Sequence, residues 1–150
     1  DGRQLAAALA LGAEGVNMGT RFMATVEAPI QAGIKQALVE GNENSTSLVM
    51  RSLKNTERVY KNKTVLQVQE LEAKDPGNIH AIRHLVSGEN YRKSFQETGD
   101  AQSSVWSAGC VMGLIDDIPT CKVLVARMVE EAEEIIRGRL ASMTRPRSKL

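Results

Sequence analysis

The first 13 residues constrain the fold most, because they predict a helix that is apolar nearly all round. Asp1 or Gly2 can cap this helix. Apolar or small residues recur at helical spacing at Leu5, Ala8, Leu9 and Gly12. Most of the remaining positions are alanine, so the helix offers little polar surface to water. Such a helix needs neighbours on several sides, which suits tight packing against a sheet.

A short strand over residues 15–18 is expected next, followed by a turn at Gly19 and Thr20 and a helix beginning at Arg21. Helix, strand, glycine and helix in this order form half of a repeating α/β unit. Glycine lets a phosphate approach the backbone N–H groups at the helix start, and the Thr20 hydroxyl can add a hydrogen bond. A plain turn without a ligand would leave the same pattern.

The middle third of the chain predicts a small, mainly helical domain. Three helices are expected: residues 29–40, beginning at Pro29, residues 65–74, and residues 79–86, closed by Gly88. Residues 46–53 favour a strand. Residues 89–102 are polar and predict a short helix followed by a loop.

The longest helix is predicted to begin at Pro119. Its apolar stripe has a period near 3.6 and consists of Cys121, Leu124, Val125, Met128, Ala132, Ile135, Ile136 and Leu140. The opposite face carries the glutamates at positions 130, 131, 133 and 134, which we interpret as a solvated surface. Asp116 and Asp117 directly precede this helix, and we interpret them as capping residues and not as a catalytic pair.

Charge and hydropathy argue against two classes of partner. The net charge is +1 and the pI is about 8.0, so no broad basic surface for nucleic acid is expected. No apolar run approaches the roughly 20 residues that a membrane span needs. Cys110 and Cys121 lie too far apart for a C-x-x-C pair and are predicted to be buried, reduced and inert thiols.

Ser107 lies in a segment rich in small residues, where backbone can approach a ligand closely. A serine nucleophile needs a nearby base, and no G-x-S-x-G elbow surrounds this serine. The hydroxyl is therefore predicted to bind a cofactor or substrate, with a tightly packed helix start as the alternative. His80 and His84 have metal-ligand spacing, but no third ligand accompanies them and no metal is predicted.

The tripeptide Ser148, Lys149 and Leu150 matches the peroxisomal targeting signal S-K-L, and basic residues precede it. It predicts import through the peroxisomal receptor. The alternative is a cytoplasmic enzyme whose basic tail has this sequence by coincidence. Because the sequence starts without methionine at what reads as a helix N-terminus, we also expect a fragment of a longer protein.

Three stretches together resemble the nitronate monooxygenase family, formerly called 2-nitropropane dioxygenases. They are "DGRQLAAALALGAEGVNMGTRF", "STSLVMRSLKNTERV" and "WSAGCVMGLIDD". The similarity is greatest to the bacterial-type branch that includes NADH:quinone reductases. It implies the C-terminal part of a TIM (β/α)8 barrel with a smaller, mainly helical second domain. Residues 1–27 would complete the FMN-binding barrel, residues 28–126 would form the helical domain, and residues 127–150 would return to the barrel.

The resemblance also implies a site. Gly19 and Thr20 match the family's FMN phosphate-binding turn, Met18 precedes it, and Ser107 matches a serine on the substrate side of the flavin. The region that supplies a catalytic histidine in some members is absent from this chain, so no catalytic residue is assigned.

The implied function is FMN-dependent oxidation of alkyl nitronates to nitrite and a carbonyl product, with the 150-residue chain inactive by itself. One alternative is an NADH:quinone reductase on the same scaffold. The other is a truncated helical interaction module without flavin, which a colourless full-length protein would favour.

Overall fold

The computed structural model describes residues 1–144, which divide into two compact units. The first unit consists of Asp1–Met18 and the described part of Pro119–Leu150, and the second consists of Gly19–Ile118. The division into residues 1–27, 28–126 and 127–150 that the sequence suggested stays a prediction. Within residues 1–144, no helix is long and apolar enough to cross a membrane.

Helix α1 of the first unit spans Gly2–Ala10 and begins with a reciprocal cap. The Asp1 carboxylate accepts a hydrogen bond from the Gln4 backbone N–H at 3.2 Å, and the Gln4 side chain accepts one from the Asp1 amino group at 2.8 Å. This arrangement satisfies donors that a helix start otherwise leaves free. The predicted helix and its Asp1 cap are confirmed, although the helix ends at Ala10 and not at residue 13.

Helix α1 packs against the long helix α7, Cys121–Glu134, which continues as a π-helical segment over Ile135–Leu140. The Gly2 N–H donates to the Glu131 carboxylate at 2.6 Å. A Cβ atom on Gly2 would lie 2.5 Å from the Glu131 Cβ, so glycine is needed for this approach. Glu131 therefore contacts α1 and is not only part of a solvated face, as the sequence had suggested.

The start of α7 differs from its prediction. The Thr120 hydroxyl caps the helix by accepting from the Val123 N–H at 3.2 Å, and Pro119 lies outside it. Asp117 does not cap α7. It belongs to the second unit, where its carboxylate pairs with Arg21. Of the predicted apolar stripe, Leu124, Met128 and Ala132 are buried, whereas Val125, Ile136 and Leu140 are exposed.

Residues 15–18 do not form the predicted strand. A strand is stabilised by hydrogen bonds to a neighbour, and nothing in residues 1–144 pairs with this segment. Its surroundings agree with this, since Val16 is 42% exposed and Leu11 is 90% exposed. The sequence pattern predicted a segment with a preference for strand, but this pattern does not show whether a neighbouring strand is present to pair with it.

The second unit is mainly helical and contains one small sheet. Its helices are α2 (Thr20–Met23), α3 (Ala32–Glu40), α4 (Lys63–Lys74), α5 (Ile79–Ile82) and α6 (Gly88–Arg92), followed by a π-helical segment (Lys93–Thr98) and a 3-10 helix (Cys110–Leu114). The strands are β1 (Thr46–Val49) and β2 (Glu57–Tyr60).

Several predicted boundaries in this unit are wrong. Helix α3 begins at Ala32, with Gln31 as the N-cap, and not at Pro29. Helix α5 ends at Ile82, and Gly88 begins the next helix instead of closing this one. The reason is the Ser87 hydroxyl, which accepts from a backbone N–H in the following turn and so starts a new helix.

The sheet is extended on one side by residues 106–108. Strands β1 and β2 are antiparallel, with Thr46 opposite Tyr60 and Val49 opposite Glu57. On the other edge of β2, the Tyr60 N–H donates to the Trp106 carbonyl at 3.0 Å and the Ala108 N–H donates to the Arg58 carbonyl at 3.2 Å. The segment that carries Ser107 is therefore held in register by β2, which the sequence did not predict as a strand.

Two hydrophobic clusters support this arrangement. The larger one is centred on Trp106, which is 1% exposed and stacks on Tyr60 with ring centroids 4.6 Å apart. Phe95 packs edge-on against the same indole, and Tyr91 stacks on Phe95. Four aromatic rings thus run in one continuous series beside residues 106–108. The second cluster is aliphatic and contains Val49, Met50, Val59, Val65, Val68 and Ile82.

Candidate functional site

The two segments singled out in the sequence meet in the second unit. The Gly109 N–H donates to the Thr20 hydroxyl oxygen at 3.0 Å. Gly109 follows the segment that contains Ser107, and Thr20 is the first residue of α2. This hydrogen bond joins the glycine turn to the small-residue loop, and the Thr20 hydroxyl keeps its own proton for a further acceptor.

Gly19 provides an open backbone surface beside this bond. The residue is exposed, and a Cβ atom placed on it would meet nothing of the chain within 4 Å. In the part of the chain that the structure describes, no side chain caps the start of α2. Because the backbone is accessible here, a ligand oxygen can approach it closely.

The Arg21 side chain links the start of α2 to residues near the end of the second unit. This side chain is 10% exposed and donates to the Asp117 carboxylate at 2.6 Å, the Asp117 carbonyl at 3.2 Å and the Ala24 carbonyl at 3.3 Å. A guanidinium engaged in this way anchors α2 to the chain before α7 and is not available to a ligand. Arg21 and Asp117 both lie in stretches that resemble the family, but they are far apart in the sequence, and nothing in the pattern predicted that they pair.

Ser107 donates a hydrogen bond from its hydroxyl to the Glu57 carboxylate. Sequence reasoning did not identify Glu57, because it is 50 residues away and lies in the strand that was missed. Burial, followed by the negative charge of Glu57, raises the pKa of the Tyr91 phenol above its ordinary value. A hydroxyl, a carboxylate and a phenol are therefore gathered beside the extended sheet.

The sequence also singled out several other residues. Met18 is half-buried and belongs to the first unit. His80 and His84 are exposed, and within residues 1–144 no group of histidine, cysteine or acidic residues could hold a metal ion. Cys110 is exposed and Cys121 is only partly buried, so the prediction that both thiols are buried is wrong. The predicted targeting residues Ser148, Lys149 and Leu150 lie outside the described residues.

Comparison with known proteins assigns the chain to an established family. The profile of one family, described as Nitronate monooxygenase, matches residues 1–131. The chain belongs to the nitronate monooxygenase family, which confirms the resemblance seen in the sequence.

Individual relatives agree with this assignment. A Rhodococcus jostii protein named (3aS,4S,5R,7aS)-5-hydroxy-7a-methyl-1-oxo-octahydro-1H-indene-4-carboxyl-CoA dehydrogenase is 30% identical, over 88% of this chain and 47% of its own length. A Neurospora crassa nitronate monooxygenase is 31% identical, over 91% of this chain and 36% of its own length. The structure of FabK from Thermotoga maritima superimposes with a TM-score of 0.84 and 31% identity, covering 95% of this chain and 44% of that one.

These matches confirm the fold class, which is part of a TIM barrel together with a smaller, mainly helical domain. The chain spans less than half the length of the curated relatives described above. The names of these two relatives describe different reactions.

Proposed function

We propose that the protein containing this chain is an FMN-dependent oxidoreductase that converts alkyl nitronates into nitrite and a carbonyl product. The observation that carries the proposal is the Gly109–Thr20 hydrogen bond, because it links a phosphate-type turn to the loop of Ser107. Membership of the nitronate monooxygenase family and the Neurospora crassa relative support the choice of substrate class.

The residues present fit a phosphate at the glycine turn. Gly19 leaves its backbone open, and the Thr20 hydroxyl accepts from Gly109 while its proton can be donated to a phosphate oxygen. Met18 directly precedes this turn. Bound FMN would supply the electron-accepting chemistry, whereas the protein orients and binds. Arg21 keeps the turn in place through Asp117, and Ser107 would face the substrate side.

The cofactor assignment is tested by Gly19→Val in the full-length protein. A side chain at this position meets nothing of the chain within 4 Å and the backbone φ is −96°, so the variant is expected to fold normally. Purified wild-type protein should be yellow and release FMN. The valine side chain should block the approach of the phosphate to the backbone, and loss of a charge-assisted hydrogen bond costs about 1.5–3 kcal/mol. The variant should therefore retain less than about a tenth of the FMN.

Gly15→Val is the matched control, because a Cβ atom at Gly15 also meets nothing within 4 Å. It should keep its flavin. Full FMN content in Gly19→Val would disprove the phosphate assignment.

The substrate assignment is tested separately by two reactions of the full-length protein. Turnover of propionate 3-nitronate with release of nitrite is expected. Rapid reduction of the flavin by NADH, coupled to quinone and without nitronate turnover, would instead identify the NADH:quinone reductase alternative. A colourless full-length protein would contradict both and favour an interaction module without flavin.

A further inference from the structure

The partner of Ser107 decides what kind of group this serine can bind. We propose that Glu57 is a specificity-determining positioning residue that makes Ser107 a hydrogen-bond acceptor. The position would then take an N–H or O–H donor of the ligand and reject the oxygen atoms of an anion. This inference rests on the proposed function, because it uses the position of Ser107 on the substrate side of the flavin.

The argument begins with the single hydroxyl proton. An ionised carboxylate can only accept hydrogen bonds, so the proton between Ser107 and Glu57 belongs to the serine. A serine hydroxyl has one proton and two lone pairs. Once the proton is directed at Glu57, only the lone pairs remain for a ligand.

The strand register imposes this pairing. Ser107 lies directly opposite Val59, which is fully buried, and Glu57 is two residues earlier on the same strand. Residues two apart on a strand share a face, and diagonal neighbours across strands are close enough for their side chains to interact. The backbone hydrogen bond from Ala108 to Arg58 fixes this register.

The neighbouring cation does not offset the charge of Glu57. Arg58 lies on the opposite face of β2 and donates to the Thr46 hydroxyl at 2.9 Å. The Tyr91 phenol stays protonated at neutral pH, since its pKa is raised. An anionic oxygen placed at Ser107 would therefore face lone pairs and a nearby carboxylate. The oxygens of a nitronate must then be bound elsewhere in the site, and an amide, imide or hydroxyl group suits Ser107.

The test is Glu57→Gln in the full-length protein, because the glutamine amide can donate to Ser107 and free the serine proton. Two probes are titrated while the Ser107 backbone amide is followed by NMR: nitrite, an anion with acceptor atoms only, and succinimide, an imide with an N–H donor. We expect wild-type protein to favour succinimide. Glu57→Gln should bind nitrite about tenfold more tightly and succinimide about tenfold more weakly.

Removal of charge alone is separated by repeating Glu57→Gln in a Ser107→Ala background. The gain in nitrite affinity should largely disappear there, because the freed proton no longer exists. An equal gain in both backgrounds, or no change in either, would overturn the inference. Glu97→Gln, which removes an exposed charge of the same unit, is the matched control and should leave both affinities unchanged.

The NMR titrations do not require flavin, so they can fail independently of the proposed function. Flavin content and nitronate turnover are measured on the same wild-type preparation. A wild-type protein that turns over nitronate but shows no effect of Glu57→Gln contradicts only the role of Glu57. A protein without flavin or turnover contradicts the proposed function, whatever the titrations give.

Discussion

At the scale of single residues, the backbones of Gly33 and Gly99 approach each other closely in the second unit. A Cβ atom on Gly33 would overlap the Gly99 carbonyl oxygen, and Gly99 has a φ of +68°. Gly33→Ala should lower the free energy of unfolding by about 1–3 kcal/mol, because backbone atoms must move to make room. Urea denaturation measures this.

Gly88→Ala is the control for that substitution. A Cβ atom at Gly88 meets nothing within 4 Å, and the residue begins helix α6. Alanine there should raise the free energy of unfolding by roughly 0.4–1 kcal/mol, because it reduces the conformational entropy of the unfolded chain. Similar losses in both variants would mean that the Gly33–Gly99 contact is not the cause.

Tyr91 predicts a dependence of stability on alkaline pH. Its pKa is raised by burial and by the charge of Glu57, so the folded protein holds the phenol proton more strongly than the unfolded chain does. The resulting stability is fully present below the ordinary pKa of about 10 and is lost as the pH rises through the folded value. Tyr91→Phe should flatten the fall in stability above pH 10, measured by denaturation at several pH values.

Glu57→Gln offers an independent check on Tyr91. Removing the carboxylate should move the phenol titration, followed by tyrosinate absorbance, toward its ordinary pKa. Burial would still hold it above that value. An unchanged titration would show that Glu57 exerts no charge effect on the phenol.

At the scale of elements, helix α4 holds the turn between the two strands. The Glu72 carboxylate accepts from the Met50 N–H and from the Ser52 hydroxyl, each at 2.8 Å. Met50 has a φ of +57°, which is strained for a residue with a side chain. Glu72→Ala should increase hydrogen exchange at the Met50 amide by about tenfold or more, since a buried donor loses a charged partner.

The comparison for Glu72 is Glu70→Ala on the same helix. Glu70 is exposed and its carboxylate pairs with Lys74 at 2.6 Å. Such an ion pair on the surface contributes little to the free energy of unfolding. Both substitutions change helix propensity equally. Exchange at Met50 should therefore rise only when Glu72 is removed, and a rise with Glu70→Ala would point to general loosening of α4.

The elements that sequence predicts well are those whose signals are local. The Asp1 cap and the apolar spacing of α4 lie within a few residues of the helices that they define. Strand β2 was missed because its four residues include two charged ones and acquire their conformation by pairing with β1 and with residues 106–108. The Thr20–Gly109 and Ser107–Glu57 hydrogen bonds depend on that pairing, so spacing along the chain could not predict them.

At the scale of the whole molecule, the first unit exposes several large apolar side chains. They include Leu11, which is 90% exposed, and a helical row formed by Val125, Val129, Ile136 and Leu140. The 150-residue chain expressed by itself should therefore self-associate and bind a hydrophobic dye. Light scattering and dye fluorescence measure both properties. A monomeric chain that binds no dye would contradict this expectation.

Localisation is likewise a property of the complete protein. We propose that Ser148, Lys149 and Leu150 direct it to the peroxisome through the import receptor. A full-length protein carrying an N-terminal fluorescent tag should give punctate signal that overlaps catalase in eukaryotic cells, and deletion of Leu150 should make the signal diffuse. Diffuse signal in both cases would favour the cytoplasm.

The Thr20–Gly109 hydrogen bond also has a consequence for the order of folding. Its partners are 89 residues apart, and Gly109 directly follows residues 106–108, which pair with β2. Contacts within α4 close much shorter loops and form earlier. We therefore expect the glycine turn to be completed late in folding. A phosphate bound there, as proposed above, would stabilise a contact that forms after the folding transition state. Such a ligand should slow unfolding and leave the rate of folding nearly unchanged, which stopped-flow unfolding and refolding with and without phosphate would measure.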